Sequence, residues 1–305
     1  MAARQWTDWW IRGVLPLWVG QLALFAALHA RPGSLGVVLW RWGPSLLILS
    51  AAGLLAAALV SAAKGKLMFS ARRGAALAGL FILVYSTIML YRTYPSSYDD
   101  RPSRVDFRLP LDGPVTVAWG GPTRDVNYHV KSPGERWGYD LLVAVNGRTY
   151  RTDGLSLADY YAYGLPARSP ASGHVVHAID GIPDAPPRNA DRQGGAGNHV
   201  VLEVAPRQYL FIAHLRPGTV RVRAGDAVRQ GDVLGEVGSS GNSSEPHVHL
   251  HLQDTPLPLS GEGIPFHFAD ARLAGADPAA ARPMPEGGMQ GRRYVGDVVV
   301  SAAAN

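Results

Sequence analysis

The run Pro246-His247-Val248-His249-Leu250-His251 holds three imidazoles in five positions. Strand side chains alternate between faces, so an extended run here projects His247, His249 and His251 to one side. Each ring brings polar nitrogens that need partners, which makes such a row poor core material. A bound metal satisfies several of them together; the other reading is a solvated strand with surface histidines. Nine of the ten histidines lie at or after position 129, and there is no cysteine, so disulfides and thiolate ligands are excluded.

The remaining histidines carry weaker signals. His174 and His177 are three apart in an expected strand, which puts them on opposite faces and makes them incidental. His199 follows Gly197-Asn198 and is expected to be exposed, while His267 reads as packing or surface. His251 is expected to support the pair before it rather than to ligate. Gly238-Ser-Ser-Gly241-Asn-Ser-Ser reads as a flexible turn that lets a peptide backbone approach closely.

The elements that must position these residues are short strands. With 35 Gly and 23 Pro, the chain after Val105 alternates apolar and polar residues between frequent turns. Expected strands include Val115 to Ala118, Gly173 to Ile179, Val220 to Val222, Val233 to Val237 and His247 to Leu252. Val200 to Val204 and Tyr209 to His214 flank Pro206-Arg207-Gln208 as a hairpin. Helical periodicity is confined to Leu155 to Tyr161, so an all-β sandwich or barrel is expected.

The first ninety residues differ in kind. Gly13 to Ala30, Pro44 to Ala63 and Gly74 to Tyr91 carry no charged side chain, and each approaches the roughly 20 residues that cross a bilayer as a helix. Trp9, Trp10, Trp40, Trp42 and Tyr91 lie near their ends, as interfacial aromatics do. The first stretch also reads as a cleavable signal peptide ending near Ala30. The basic loop Lys64-Gly-Lys66…Arg72-Arg73 is cytoplasmic by the positive-inside tendency, which puts everything after Tyr91 outside the cell. The expected organisation is three transmembrane helices in residues 1–92, a polar linker 93–104, a β domain 105–300 and a tail 301–305. The formal charge is +5, but the basic residues form no run interleaved with aromatics, so nucleic-acid binding is not expected.

Four ordered segments bear a family resemblance. Gly241-Asn-Ser-Ser-Glu-Pro-His247-Val-His249 resembles the terminal HxH signature of lysostaphin/LytM-type zinc endopeptidases, enzymes of the duplicated-hybrid-motif β fold. Gly164-Leu-Pro-Ala-Arg-Ser-Pro-Ala-Ser-Gly173-His-Val, Gly197-Asn198-His199-Val…Ile212-Ala-His214-Leu215 and Ala224-Gly-Asp-Ala-Val-Arg-Gln-Gly231-Asp-Val-Leu-Gly235 resemble three further motifs of that family, in the same order. The resemblance covers roughly Val105 to Val300.

Carried over, it makes His249 a zinc ligand and His214 and His247 the non-ligand histidines that flank the reacting water. The family's other two ligands come as H-x-G-x-D. Here the stretch is Arg136-Trp137-Gly138-Tyr139-Asp140, in which Asp140 fits the acidic ligand and Arg136 stands where the histidine belongs. A permanently charged guanidinium does not ligate a cation. Either His129 of Asn127-Tyr128-His129-Val130 supplies the missing imidazole, or the site is degenerate. The resemblance and the topology together imply a membrane-anchored zinc endopeptidase, in the cytoplasmic membrane and facing outward, that cuts peptide cross-links of peptidoglycan. The alternative is an inactive LytM-type regulator or wall-binding module. A phosphocarrier or biotinyl-type domain would need a cytoplasmic setting and a modifiable Lys or lone phosphoryl His, and no Lys lies in Gly225 to Gly235.

Overall fold

The computed structural model describes residues 9–31, 33–63, 70–191, 193–275, 281–290 and 293–301. Lys64 and Lys66 of the basic loop, and all of the expected tail except Ser301, lie outside the described residues. The chain divides into two compact units, Met1–Ser97 and Tyr98–Asn305.

The first unit contains three helices: α1 (Trp9–His29), α2 (Ser34–Ala63) and α3 (Ala71–Leu90). Each is long and apolar enough to cross a membrane; twenty residues of α-helix rise ~30 Å. The second helix begins earlier than expected, so Arg41 sits inside it rather than in a loop. Small residues at the contacts let the helices approach: Ala51, Ala58 and Ala76 pack with Trp10, Leu80 and Leu83. Gln21 is buried, donating to Ser86 Oγ at 2.9 Å and accepting from Thr87 Oγ1 at 3.3 Å, a polar tie between α1 and α3. Leu15, Leu22, Leu49, Leu59 and Phe81 point outward.

The second unit is antiparallel β. Its strands are β1 (Val115–Trp119), β2 (Tyr139–Leu142), β3 (Pro166–Arg168), β4 (Gly173–Ile179), β5 (Asn198–Ala205) and β6 (Gln208–Leu215). They continue as β7 (Ala227–Val228), β8 (Val233–Glu236), β9 (Val248–Gln253), β10 (Ala271–Leu273), β11 (Met289–Gln290), β12 (Arg293–Tyr294) and β13 (Val298–Ser301). Nine form one sheet in the order β10-β13-β1-β2-β9-β6-β5-β4-β7, and β3–β8 and β11–β12 are separate pairs. The expected hairpin is β5–β6, turning at Arg207 with φ 59°. One face of the sheet is core: Tyr139, Leu141, Val200, Leu202, Leu210, Ile212, Val248, Leu250 and Leu252 are buried together with Phe266 and Phe268. The residues between them face the other way, and that face carries the histidines.

Three local expectations are corrected. Val220 to Val222 is not a strand, although Arg221 N–H donates to Leu234 O at 2.8 Å. Leu155 to Tyr161 supports only a 3-10 turn over Leu157–Asp159, since Asp159 spends its carboxylate on the N–H groups of Thr152 and Gly154. His174 and His177 share a face and are both exposed: β4 bulges between Val175 and His177, so His174 opposes Glu203 and His177 opposes Val201.

Candidate metal centre

Register across the middle of the sheet builds the site. Asp140 on β2 stands opposite His249 on β9, which stands opposite Ala213 on β6. One step along β9, His251 opposes Phe211 and stacks on its ring at 4.4 Å. The alternation expected for His249 and His251 is met, and His247 precedes the strand. Asp140, His249 and His251 are all buried.

His129 arrives from a 3-10 turn, Tyr128–Lys131, that Asn127 caps. The fully buried Asn127 amide donates to Gly121 O at 2.9 Å and Gly138 O at 3.2 Å, which aims its Oδ1 at His129. That oxygen accepts from His129 N–H at 3.1 Å and from His129 Nδ1 at 2.8 Å. The proton is therefore on Nδ1, and the Nε2 lone pair faces Asp140 Oδ1 at 3.4 Å. His249 Nδ1 lies 2.8 Å from the same oxygen. Donor atoms of His129, Asp140 and His249 all fall within 4.8 Å of one another. Tetrahedral zinc with bonds of ~2.0–2.1 Å spaces its ligand atoms ~3.3 Å apart. The two imidazoles and one carboxylate fit that ion.

Arg136 is engaged elsewhere. Its Nε and Nη2 donate to the two Asp99 oxygens at 2.8 and 2.9 Å, a bidentate pair that ties the expected linker to the domain. Gly138 fits because a Cβ there would stand 3.2 Å from His249 Cε1 and 2.9 Å from Glu135 O.

His214 and His247 flank this group, their rings 4.7 Å apart. His214 Nδ1 donates to Ser240 O and His247 Nδ1 to Glu245 O, each at 2.8 Å. A carbonyl only accepts, so both rings keep Nε2 for the site; His247 Nε2 lies 3.5 Å from Asp140 Oδ1. The His214 backbone has φ 63°, a left-handed conformation that costs a non-glycine residue of order 1 kcal/mol. The adjoining glycine turn meets the chain's own backbone: a Cβ on Gly197 (φ 59°) would lie 2.4 Å from Ser240 O.

Charge follows from burial and neighbours. Burial pushes the His129 imidazolium down to about 3 against the pull of Asp140, leaving a neutral ring. Burial likewise holds His214 and His251 well below the usual histidine value. For Asp140, burial works upward, but His129, His247 and His249 outweigh it and keep the carboxyl well below its usual range. His247 is raised, since Asp140 and Glu245 overcome the burial penalty.

Sequence reasoning missed five contributors. Tyr128 O–H donates to Asp140 Oδ2 at 3.3 Å and its ring packs on His129; its place beside His129 was the available signal. Asn127 was noticed only as part of a motif. Thr149 Oγ1 donates to Glu245 Oε2 at 2.6 Å and Tyr294 O–H to Glu245 Oε1, fixing the segment before His247; nothing local marks either. Glu135 forms a second possible ligand group with His249 and His251. His199, expected to be exposed, is half-buried, with Nδ1 2.7 Å from Gly197 O. A cleft of about 290 Å³ lined by His129, His214, His249 and His251 opens over the centre. A second of about 250 Å³ reaches Asp140 and His247 between Trp119 and Tyr294.

Residues 152–260 match the model of Peptidase family M23; His214, His247 and His249 lie inside the match, His129 and Asp140 before it. Cell division protein DipM of Caulobacter vibrioides is 30% identical over 112 residues, 37% of this chain and 16% of that protein. The chain thus spans about a sixth of the length of that curated relative. Among solved structures, the catalytic domain of lysostaphin from Staphylococcus simulans is 20% identical, covering 48% of this chain and 85% of that one with a TM-score of 0.30. The catalytic domain of the prophage-encoded M23 protein EnpA from Enterococcus faecalis is 21% identical, covering 52% and 94% with a TM-score of 0.33. The segment that carries His214, His247 and His249 is thus similar to Peptidase family M23.

Proposed function

We propose that this chain is a membrane-anchored zinc metalloendopeptidase that hydrolyses peptide cross-links of peptidoglycan. One observation carries the reading: His129 Nε2, Asp140 Oδ1 and His249 Nδ1 converge, with His214 and His247 beside them. In this reading residues 1–92 anchor the chain, 93–104 link it and 105–300 are catalytic. Arg72 and Arg73 open α3, so the positive-inside tendency sends its far end, and the β domain, outward.

A zinc ion held by His129, Asp140 and His249 would supply Lewis acidity, polarising the peptide carbonyl and making a water nucleophilic near pH 7. The chain's own groups then move protons. One Nε2, of His214 or His247, takes a proton from the attacking water as its oxygen bonds to the carbonyl carbon. The other, protonated on both nitrogens, donates a hydrogen bond from Nε2 to the carbonyl oxygen as charge develops there. The proton taken up passes to the amine nitrogen as the C–N bond breaks, so the ring ends as it began. Tyr128, on Asp140 Oδ2, holds the carboxylate in place.

The full chain, purified in detergent, is expected to hold one zinc and to release soluble peptide from peptidoglycan. Purification without metal, or bound zinc with no release, would favour the non-enzymatic module.

A further inference from the structure

A third hollow, of about 420 Å³, is within the range of small-ligand pockets. Its floor is the turn Asn146-Gly147, both with positive φ (54° and 73°), closed by pairing of Val145 with Arg148. Three arginines, Arg148, Arg151 and Arg293, line it, and no acidic residue does. Arg151 is anchored, donating to Asp159 O at 3.2 Å with its guanidinium over the Tyr161 ring. The Arg148 guanidinium lies over Tyr150 at 5.6 Å. The Arg293 side chain packs on the turn, its Cβ 3.5 Å from where a Gly147 Cβ would stand. Arg148 and Arg293 have no ion-pair partner among the described residues, whereas Arg108, Arg168, Arg216 and Arg282 on the same domain each hold a carboxylate.

The hollow and the catalytic cleft share a wall. Thr149 lines the hollow and Tyr294 follows Arg293; both hydroxyls hold the Glu245 carboxylate, and Glu245 O accepts from the His247 ring. Thr149, Glu245 and Tyr294 thus link the hollow to the His247 side of the cleft. Uncompensated planar donors of this kind suit an oxyanion.

We infer that Arg148, Arg151 and Arg293 form an anion subsite that takes a carboxylate of the same peptide chain whose backbone lies at the catalytic centre. This rests on the hydrolase reading and extends it to substrate charge: the preferred chain carries a free carboxylate a short way from the scissile bond.

The test uses two alanine-rich pentapeptides, one ending in a carboxylate and the other in an amide, with full-length protein in detergent. Binding is measured on the His247→Ala variant, so that turnover does not interfere. The carboxylate peptide is expected to bind roughly fivefold more tightly, as two exposed charge contacts give, with a preference that shrinks as salt is raised. Adding Arg148→Gln and Arg293→Gln together should make the two peptides bind alike. Equal binding before those substitutions, or a preference that survives them, overturns the subsite. Competition by inorganic phosphate far stronger than by acetate overturns the carboxylate assignment. A preference in binding without cleavage by the unsubstituted chain sinks the hydrolase reading alone; cleavage of both peptides at equal kcat/KM, with equal binding, sinks the subsite alone.

Discussion

Replacing His251 by Phe tests whether this ring prepares His249 for metal. His249 Nε2 lies 2.9 Å from His251 Nδ1, while His249 Nδ1 faces Asp140. For Nδ1 to offer its lone pair to a metal, the proton must sit on Nε2, where His251 Nδ1 accepts it. Phe keeps the stack on Phe211 and removes the acceptor, stranding a buried N–H at a cost of ~1–3 kcal/mol. The metal-free protein also loses a partner at Nε2, so the difference falls at the low end, ~1.4 kcal/mol or about tenfold weaker zinc binding. Titrating zinc against a fluorescent chelator in the full-length protein measures this directly. His251→Asn should recover much of the affinity, because its Oδ1 stands near the position of the lost nitrogen. Unchanged zinc affinity in the Phe variant, or an Asn variant as weak as Phe, would refute the argument.

Other consequences are as direct. Asp140→Asn and His249→Ala should each remove bound zinc as read by metal analysis, whereas His247→Ala should retain zinc and lose peptide release. Arg136→Met should leave zinc content unchanged while lowering the melting temperature slightly, because the Arg136–Asp99 pair is partly exposed; loss of metal would contradict the assignment of His129. The metal-free protein should lose stability as pH falls below about 6.5. His129, at about 3 when folded, takes up its proton on unfolding, so the folded state is favoured above 6.5 and loses about 1.4 kcal/mol per pH unit between 6.5 and 3. His214 and His251 act in the same direction and the raised His247 opposes them. Denaturant melts at pH 7.5 and 5.5 should therefore differ by over 1 kcal/mol, and equal midpoints would refute this.

Local chemistry made part of this protein legible from sequence. Charge-free stretches must be helical if they cross lipid, because no other backbone arrangement satisfies itself there; α1, α2 and α3 follow from composition alone. The two-residue period of a strand placed His249 and His251 on one face before any partner was known. The tertiary structure decided what local pattern cannot carry. A bulge after Val175 reversed the inferred facing of His177, since one extra residue shifts every later side chain. Asp140 meets His249 across 109 positions only because both strands bury their alternate residues in one core. The placing of His129 and Arg136 likewise depends on distant groups: Asn127, beside His129, is held by carbonyls at 121 and 138, and Arg136 pairs with Asp99. These contacts depend on where the completed sheet carries each loop, and no stretch of sequence read alone contains that information.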